Sequence, residues 1–331
     1  MLHNRGVIRS IVFLGYFDVH GQLLHTVPSS RGPVTGIALL KDQLFVSYDR
    51  EIAVYCPTTF QFQHNLQFYY QCCGSRSTAV ARHLQQSVYA YRDPRDGPRV
   101  GLHCSPEQNS PQLRDMVACD VSNSLYASSQ YYSSIYKVAL NENNMISSWS
   151  VGSSPQGLSM TNSHNLLVVF SGNSELSEYS TDGNLLRQIN LQPEGISNPV
   201  HAVQISEDQF AVTHHGPTHQ FSIVGSDGQL IRSYSGNAGD LSEPRGIAVD
   251  ERGRVFMADQ SNNRILVISC NSMSARRFLL PPDCTLDGPY CLHYDFANKR
   301  LYIGEASEDS MDHPGYSPVA VGTGVLTSSC N

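Results

Sequence analysis

Short apolar runs, broken by glycine, asparagine and aspartate, recur along the chain. The clearest series opens at Pro244. Ile247, Ala248 and Val249 lead into a turn at Asp250 to Gly253, and Val255, Phe256, Met257 and Ala258 follow. A polar loop with Asn262 and Asn263 then gives way to Ile265, Leu266, Val267 and Ile268. Apolar run, glycine turn, apolar run, polar loop, apolar run is the pattern of an antiparallel meander, with residues 275–280 as its fourth strand.

The same frame starts again at Pro155, Pro199 and Pro289, so that the leading prolines are spaced 44, 45 and 45 residues apart. Degenerate copies open near Arg114 and Val34. Four short strands in every 40–45 residues mark the blades of a β-propeller. A helical solenoid could share the period, but glycine and asparagine turns and β-branched residues at period-2 spacing exclude it. The chain is expected to be all-β and six-bladed, with innermost strands near Gly36, Val117, Leu158, Ala202, Ile247 and Leu292. The 80-residue gap between residues 34 and 114 leaves seven blades as the alternative, residues 77–81 and 87–91 being the worn unit. A proline-broken, charged run at 92–99 reads instead as a surface loop.

The ends complement each other. The last unit loses its pattern after Ile303, while residues 11–16 and 22–26 form half a unit around a turn at Asp18 to Gly21. An N-terminal pair of strands completing the last blade removes two open sheet edges at once. The organisation expected is residues 1–33 as closing strands, 34–305 as the propeller with a degenerate blade or insertion at 69–112, and 306–331 as an irregular tail.

The segment Pro-Arg-Gly-Ile-Ala-Val-Asp, Gly-Arg-Val-Phe-Met-Ala-Asp and Asn-Asn-Arg-Ile within 244–265 resembles an NHL repeat. The likeness is fair at 155–191, 197–235 and 288–304 and degenerate at 114–150 and 34–68. The series resembles the C-terminal propeller of tripartite-motif-like NHL proteins. That resemblance implies a scaffold or substrate-receptor role connected to the ubiquitin pathway. The RING finger, B-boxes and coiled coil of such proteins have no counterpart here, since no paired Cys/His zinc spacing and no heptad stretch is found.

Composition narrows the function. Of 331 residues, Lys and Arg number 22 against 29 Asp and Glu, a net charge of −7. That balance argues against bulk electrostatic binding of nucleic acid. No apolar run is long enough for a membrane helix, and residues 11–17 make only a short signal-like stretch with no small-residue cleavage site after it. Nine cysteines without CxxC spacing read as free thiols packed in strands. No Asn-x-Ser/Thr acceptor occurs, so the expected location is cytoplasmic, with secretion as the alternative.

Candidate chemistry is sparse. His214, His215 and His219 crowd one loop, but no Cys or carboxylate at ligand spacing joins them, so no metal or cofactor is expected. The NHL-like peptide-amidating lyase implies axial histidines; His201 and His293 lie near innermost strands but at non-equivalent repeat positions. Lactonase-type propellers imply channel carboxylates, whereas Asp120, Asp250 and Asp295 sit where aspartate forms turns. With no GxSxG, HExxH, Walker or GxGxxG pattern, no catalytic residue is assigned and the chain is expected not to be an enzyme. A metal-dependent propeller lyase or hydrolase remains the lesser alternative.

What remains is recognition. Loops entering each first strand and loops joining second to third strands share one face. That face is assigned Gln130, Tyr131, Tyr132, His214, His215, Arg245, Asn262, Asn263 and Arg264, residue types suited to interface contacts. The expected partner is a protein or peptide docked on this face. Single-stranded RNA, stacked on Tyr131 and Tyr132 with phosphates at Arg245 and Arg264, is the runner-up.

Overall fold

The computed structural model describes residues 9–17, 20–29, 31–66, 91–93, 97–99, 111–141, 144–191, 195–215, 220–234, 241–278, 280 and 284–306. The chain opens with β1 (Arg9–Phe17) and β2 (His20–Ser29). The first blade is β3 (Gly36–Leu40), β4 (Gln43–Ser47), β5 (Ile52–Tyr55) and β6 (Phe62–Asn65). A two-stranded ribbon, β7 (Tyr91–Asp93) and β8 (Gly97–Arg99), follows. The second blade is β9 (Asp115–Cys119), β10 (Ser124–Ser129), β11 (Ser134–Ala139) and β12 (Met145–Ser150). The third is β13 (Pro155–Met160), β14 (Leu166–Phe170), β15 (Glu175–Tyr179) and β16 (Leu185–Asn190). The fourth is β17 (Pro199–Ser206), β18 (Gln209–His214), β19 (Gln220–Gly225) and β20 (Leu230–Tyr234). The fifth is β21 (Pro244–Val249), β22 (Arg254–Asp259), β23 (Arg264–Ser269) and β24 (Ser274–Arg277). The chain closes on β25 (Pro289–Asp295) and β26 (Arg300–Glu305).

The fold is an all-β propeller. Among the described residues five blades are each made from one continuous stretch, against the six, or alternatively seven, expected. The reason lies in the unit opening at Pro289, which among the described residues supplies β25 and β26. Its sheet runs β2-β1-β26-β25 and draws its outer half from the other end of the chain. β1 pairs antiparallel with β26 from Ile11↔Gly304 to Gly15↔Arg300. Two short strands also stand in the 92–99 run read as a loop, because a two-stranded ribbon has only edges, where the missing N–H of Pro98 is tolerated. The segments 77–81 and 306–331 of the expected organisation lie outside the described residues, Ala306 apart, as do most of 69–112 and residues 87–90.

The core is divided into wedges between neighbouring sheets. Leu125, Ala127 and Val138 meet Ala38, Phe45 and Val54 between the first and second blades. Leu167, Val169 and Leu176 meet Phe210 and Val212 between the third and fourth. Phe256 and Val267 meet Tyr294 and Ile303 where the fifth blade abuts the composite sheet, and Val34, Val46 and Tyr55 meet Tyr290 and Tyr302 where that sheet returns to the first blade. The ring is therefore closed by packing as well as by hydrogen bonds. Each buried Leu, Ile or Phe contributes about 1.5–3 kcal/mol, which the outermost strands β6, β16 and β20, largely exposed, do not.

Glycine appears where the inner strands must approach. A Cβ on Gly157 would lie 2.5 Å from the Val200 carbonyl oxygen, and one on Gly246 2.7 Å from the Tyr290 carbonyl oxygen. Both occupy the same place in the repeat, two residues after the leading proline, so the Pro-x-Gly frame is a packing requirement of the axis.

The candidate site at the mouth of the central channel

The innermost strands β3, β9, β13, β17, β21 and β25 adjoin one another in ring order. Their N-terminal ends surround a small hollow that includes Arg114, Asp115, Gln156, His201, Arg245 and Tyr290 in its lining. It opens on the face that carries the loops between second and third strands.

Two arginines of this lining are held alike. Arg114 donates through Nε to Gln130 Oε1 (3.0 Å), and Arg245 through Nε to Gln260 Oε1 (2.8 Å). The pairs are separated by 16 and 15 residues and join equivalent points of two blades, the end of the entering loop and the start of the loop after the second strand. Gln260 is buried, its Nε2 donating to the Ala306 carbonyl at 2.6 Å, so the Arg245 head is fixed from behind. Arg245 also meets Glu243 Oε2 at 2.8 Å and lies over the Tyr290 ring, 5.6 Å from its centroid. The second and fifth blades are three places apart in the ring of sheets, which sets Arg114 and Arg245 on opposite sides of the axis.

Deeper in, Asp115 stitches blades together. Its Oδ1 accepts from the Met116 N–H at 2.7 Å and its Oδ2 from the Leu158 N–H of the third blade at 2.8 Å. His201 of the fourth blade places Nε2 3.2 Å from that Oδ2 and 3.2 Å from the Leu158 carbonyl oxygen, a position in which Nε2 carries the proton and donates. Its Nδ1 is buried without a hydrogen-bond partner.

The sequence-derived face residues separate into two groups. Gln130, Tyr131, Tyr132, His215 and Arg245 stand around the mouth. Tyr131 is 74% exposed and meets Tyr132 edge to face, centroids 4.9 Å apart. His215 sets Nε2 2.9 Å from the Pro244 carbonyl oxygen and Nδ1 3.3 Å from Glu243. The other four serve the fold. His214 closes β18 and is 1% exposed, its Nε2 2.9 Å from Ser222 Oγ, and burial beside His215 lowers its pKa to about 4. Asn262 and Arg264 donate to Oδ2 of the fully buried Asp259 at 2.9 and 2.6 Å, while its Oδ1 accepts from the Ser242 N–H at 2.7 Å. Asn263 accepts from the Gly288 N–H at 2.7 Å. Arg114 and Asp115 were missed; the matching spacing of Arg114 to Gln130 and Arg245 to Gln260 is the signal that could have found Arg114.

His219 lies outside the described residues. Among the described residues no three His, Cys, Asp or Glu side chains converge as a metal site, and no helix is long and apolar enough to cross a membrane. Cys56, Cys119, Cys270 and Cys291 are free thiols, Cys119 and Cys291 buried.

The fold and this mouth define a β-propeller with a polar, arginine-bearing axial face. In sequence it has homology to NHL-repeat proteins. It is 26% identical to Protein brain tumor of Drosophila melanogaster over 129 residues, 38% of this chain and 12% of that protein. It is 34% identical to B-box type zinc finger protein ncl-1 of Caenorhabditis elegans over 58 residues, 18% of this chain and 7% of that protein. The chain thus spans only a small fraction of the length of these relatives, and no family model matches it. Among solved structures it is similar to virginiamycin B lyase from Staphylococcus aureus (13% identity, TM-score 0.54, 84% of this chain and 78% of that one). It is also similar to a streptogramin B lyase (12%, 0.55, 89% and 81%) and to Kuenenia stuttgartiensis hydrazine synthase (15%, 0.53, 87% and 77%). Such identities establish the fold alone.

These likenesses overturn one expectation. A propeller without familiar motifs was expected not to be an enzyme, yet enzymes share this architecture. The physical reason is that side chains from different blades meet on the axis, and no contiguous motif encodes such a meeting. The likeness by itself confers no activity on this chain. The propeller fold and the NHL-repeat homology fit a protein-interaction or RNA-binding module.

Proposed function

We propose that this chain is a docking propeller that recognises a protein or peptide segment on the channel-mouth face. The composite sheet counts as its sixth blade, with residues 1–33 closing the ring, 34–305 forming the propeller and 306–331 following as a tail. In this role it serves as a scaffold or substrate receptor of the kind tripartite-motif-like NHL proteins carry. The observation that supports the reading best is exposed Tyr131 packed edge to face on half-buried Tyr132, a pair on the same loop as the glutamine that holds Arg114 at the mouth. Tyrosine gives large contact area at low entropic cost, and a rigid arginine beside it is the usual company of an interface anchor.

The test is selection from a randomised peptide display library on the immobilised protein, followed by affinity measurement against Tyr131→Ala/Tyr132→Ala. The double variant should melt like the parent and bind selected peptides about tenfold or more weakly. Undiminished binding removes the tyrosines from the site. A surface that selects no peptide but retains an oligouridine probe, with affinity falling steeply as salt rises, makes RNA the ligand instead.

A further inference from the structure

We propose that the channel mouth takes a single carboxylate, from an Asp or Glu side chain of the docked peptide, between Arg114 and Arg245. The proposal rests on reading this face as the docking surface and adds the chemistry of the group that enters its centre. Both arginines line one hollow and come from opposite members of the ring, so an anion on the axis can meet both. Their Nε atoms are tied to Gln130 and Gln260, which fixes each guanidinium plane in advance. A guanidinium has five N–H donors in a rigid fork. On Arg245 one is taken by Gln260 and one directed at Glu243, which leaves donors for a ligand oxygen. Charge-assisted, forked contacts of this kind are the strong ones for carboxylates.

The carboxylate already inside, Asp115, is committed to two backbone N–H groups and to His201. A phosphodiester strand fits less well. It presents a charge at every nucleotide, against a chain of net charge −7. Arg264, which a longer anion could reach on the same face, is engaged by buried Asp259.

The experiment is the same peptide selection, scored for acidic positions. Selected peptides should share one fixed Asp or Glu, and changing it to Asn or Gln should weaken binding about tenfold. Arg114→Gln and Arg245→Gln should each reproduce that loss without adding to it in the neutralised peptide, while Arg277→Gln, an equal charge change on exposed outer strand β24, should not. Arg114→Lys and Arg245→Lys, which keep charge but not the fork, guard against loss of fold and should fall between parent and Gln variants. Selected peptides that lack a shared acid, or that bind the Gln variants unchanged, overturn the carboxylate proposal and leave the docking face standing. Failure to select any peptide, with or without retention of oligouridine, overturns both.

Discussion

Removing residues 1–30 tests how the ring is closed. β1 lies between β2 and β26, so each of its backbone N–H groups faces a neighbouring strand. Five residue pairs join β1 to β26. At about 1 kcal/mol net per ladder hydrogen bond they hold roughly 5 kcal/mol. His25 stacks on Phe60 of the first blade at 5.5 Å and Val27 packs against the Tyr55–Tyr302 cluster, which adds roughly 1–2 kcal/mol. Set against the 5–15 kcal/mol of a typical folded domain, the loss is a large share of the total. It also bares the edge of β26, a template for pairing with another chain. Urea unfolding followed by the fluorescence of Trp149, the single tryptophan, should show a much lower midpoint, and light scattering should show association. Val12→Pro, which removes one N–H from the middle of β1 opposite Ile303, should give a smaller loss of the same sign. A truncated protein that stays monomeric and unfolds at the parent midpoint would falsify closure by the N-terminal strands.

Asp259→Asn keeps the shape of the side chain but removes the charge that Arg264 and two other donors share, and should cost about 2–4 kcal/mol in urea unfolding; a change below the error of the measurement would show that Asn262 and Arg264 are not needed to hold the loop. Burial lowers the pKa of His214 and of His293 to about 4 from an ordinary 6.5. The unfolded chain therefore binds protons that the folded one refuses, so stability is full above pH 6.5 and falls as the pH drops towards 4. His214→Gln and His293→Gln should each flatten the dependence of the unfolding midpoint on pH across that window; an unchanged slope in both would place it elsewhere.

How much of this could be read from the chain differs by residue. The 44- and 45-residue proline spacing exposed the blades because each blade must bring its inner strand back to one axis, and Gly157 and Gly246 sit where the close approach leaves no room for a Cβ. The pairing of the chain ends was visible as a half-unit gained before Val27 and one lost after Ile303, but five contiguous blades rather than six follow from it. The ribbon at β7 and β8 was hidden by Pro98, which reads as a breaker although an edge tolerates it. Asn262, Asn263 and Arg264 looked like contacts because a polar residue that holds a loop together has the same composition as one that faces a partner; in the structure Asn262 and Arg264 bond to buried Asp259, and Asn263 to the Gly288 N–H. His214 looked like loop because Gly216-Pro217 just after it reads as a turn, while the strand runs through His214 and buries its ring. Arg114 escaped notice because its significance is relational. It matches Arg245 only when the degenerate repeat at 114 is superposed on the clear one at 244, and it opposes Arg245 only when the ring is closed.

The central claim, docking on the channel mouth, is tested most directly by the hydrogen–deuterium exchange footprint of the intact protein with a display-selected peptide bound. Protection is expected at 111–116, 129–134, 243–247 and 260–264, where the entering loops and the loops after the second strands of the second and fifth blades meet at Arg114 and Arg245. Protection confined to the exposed outer strands β16 and β20, with the mouth exchanging as in the free protein, would contradict it.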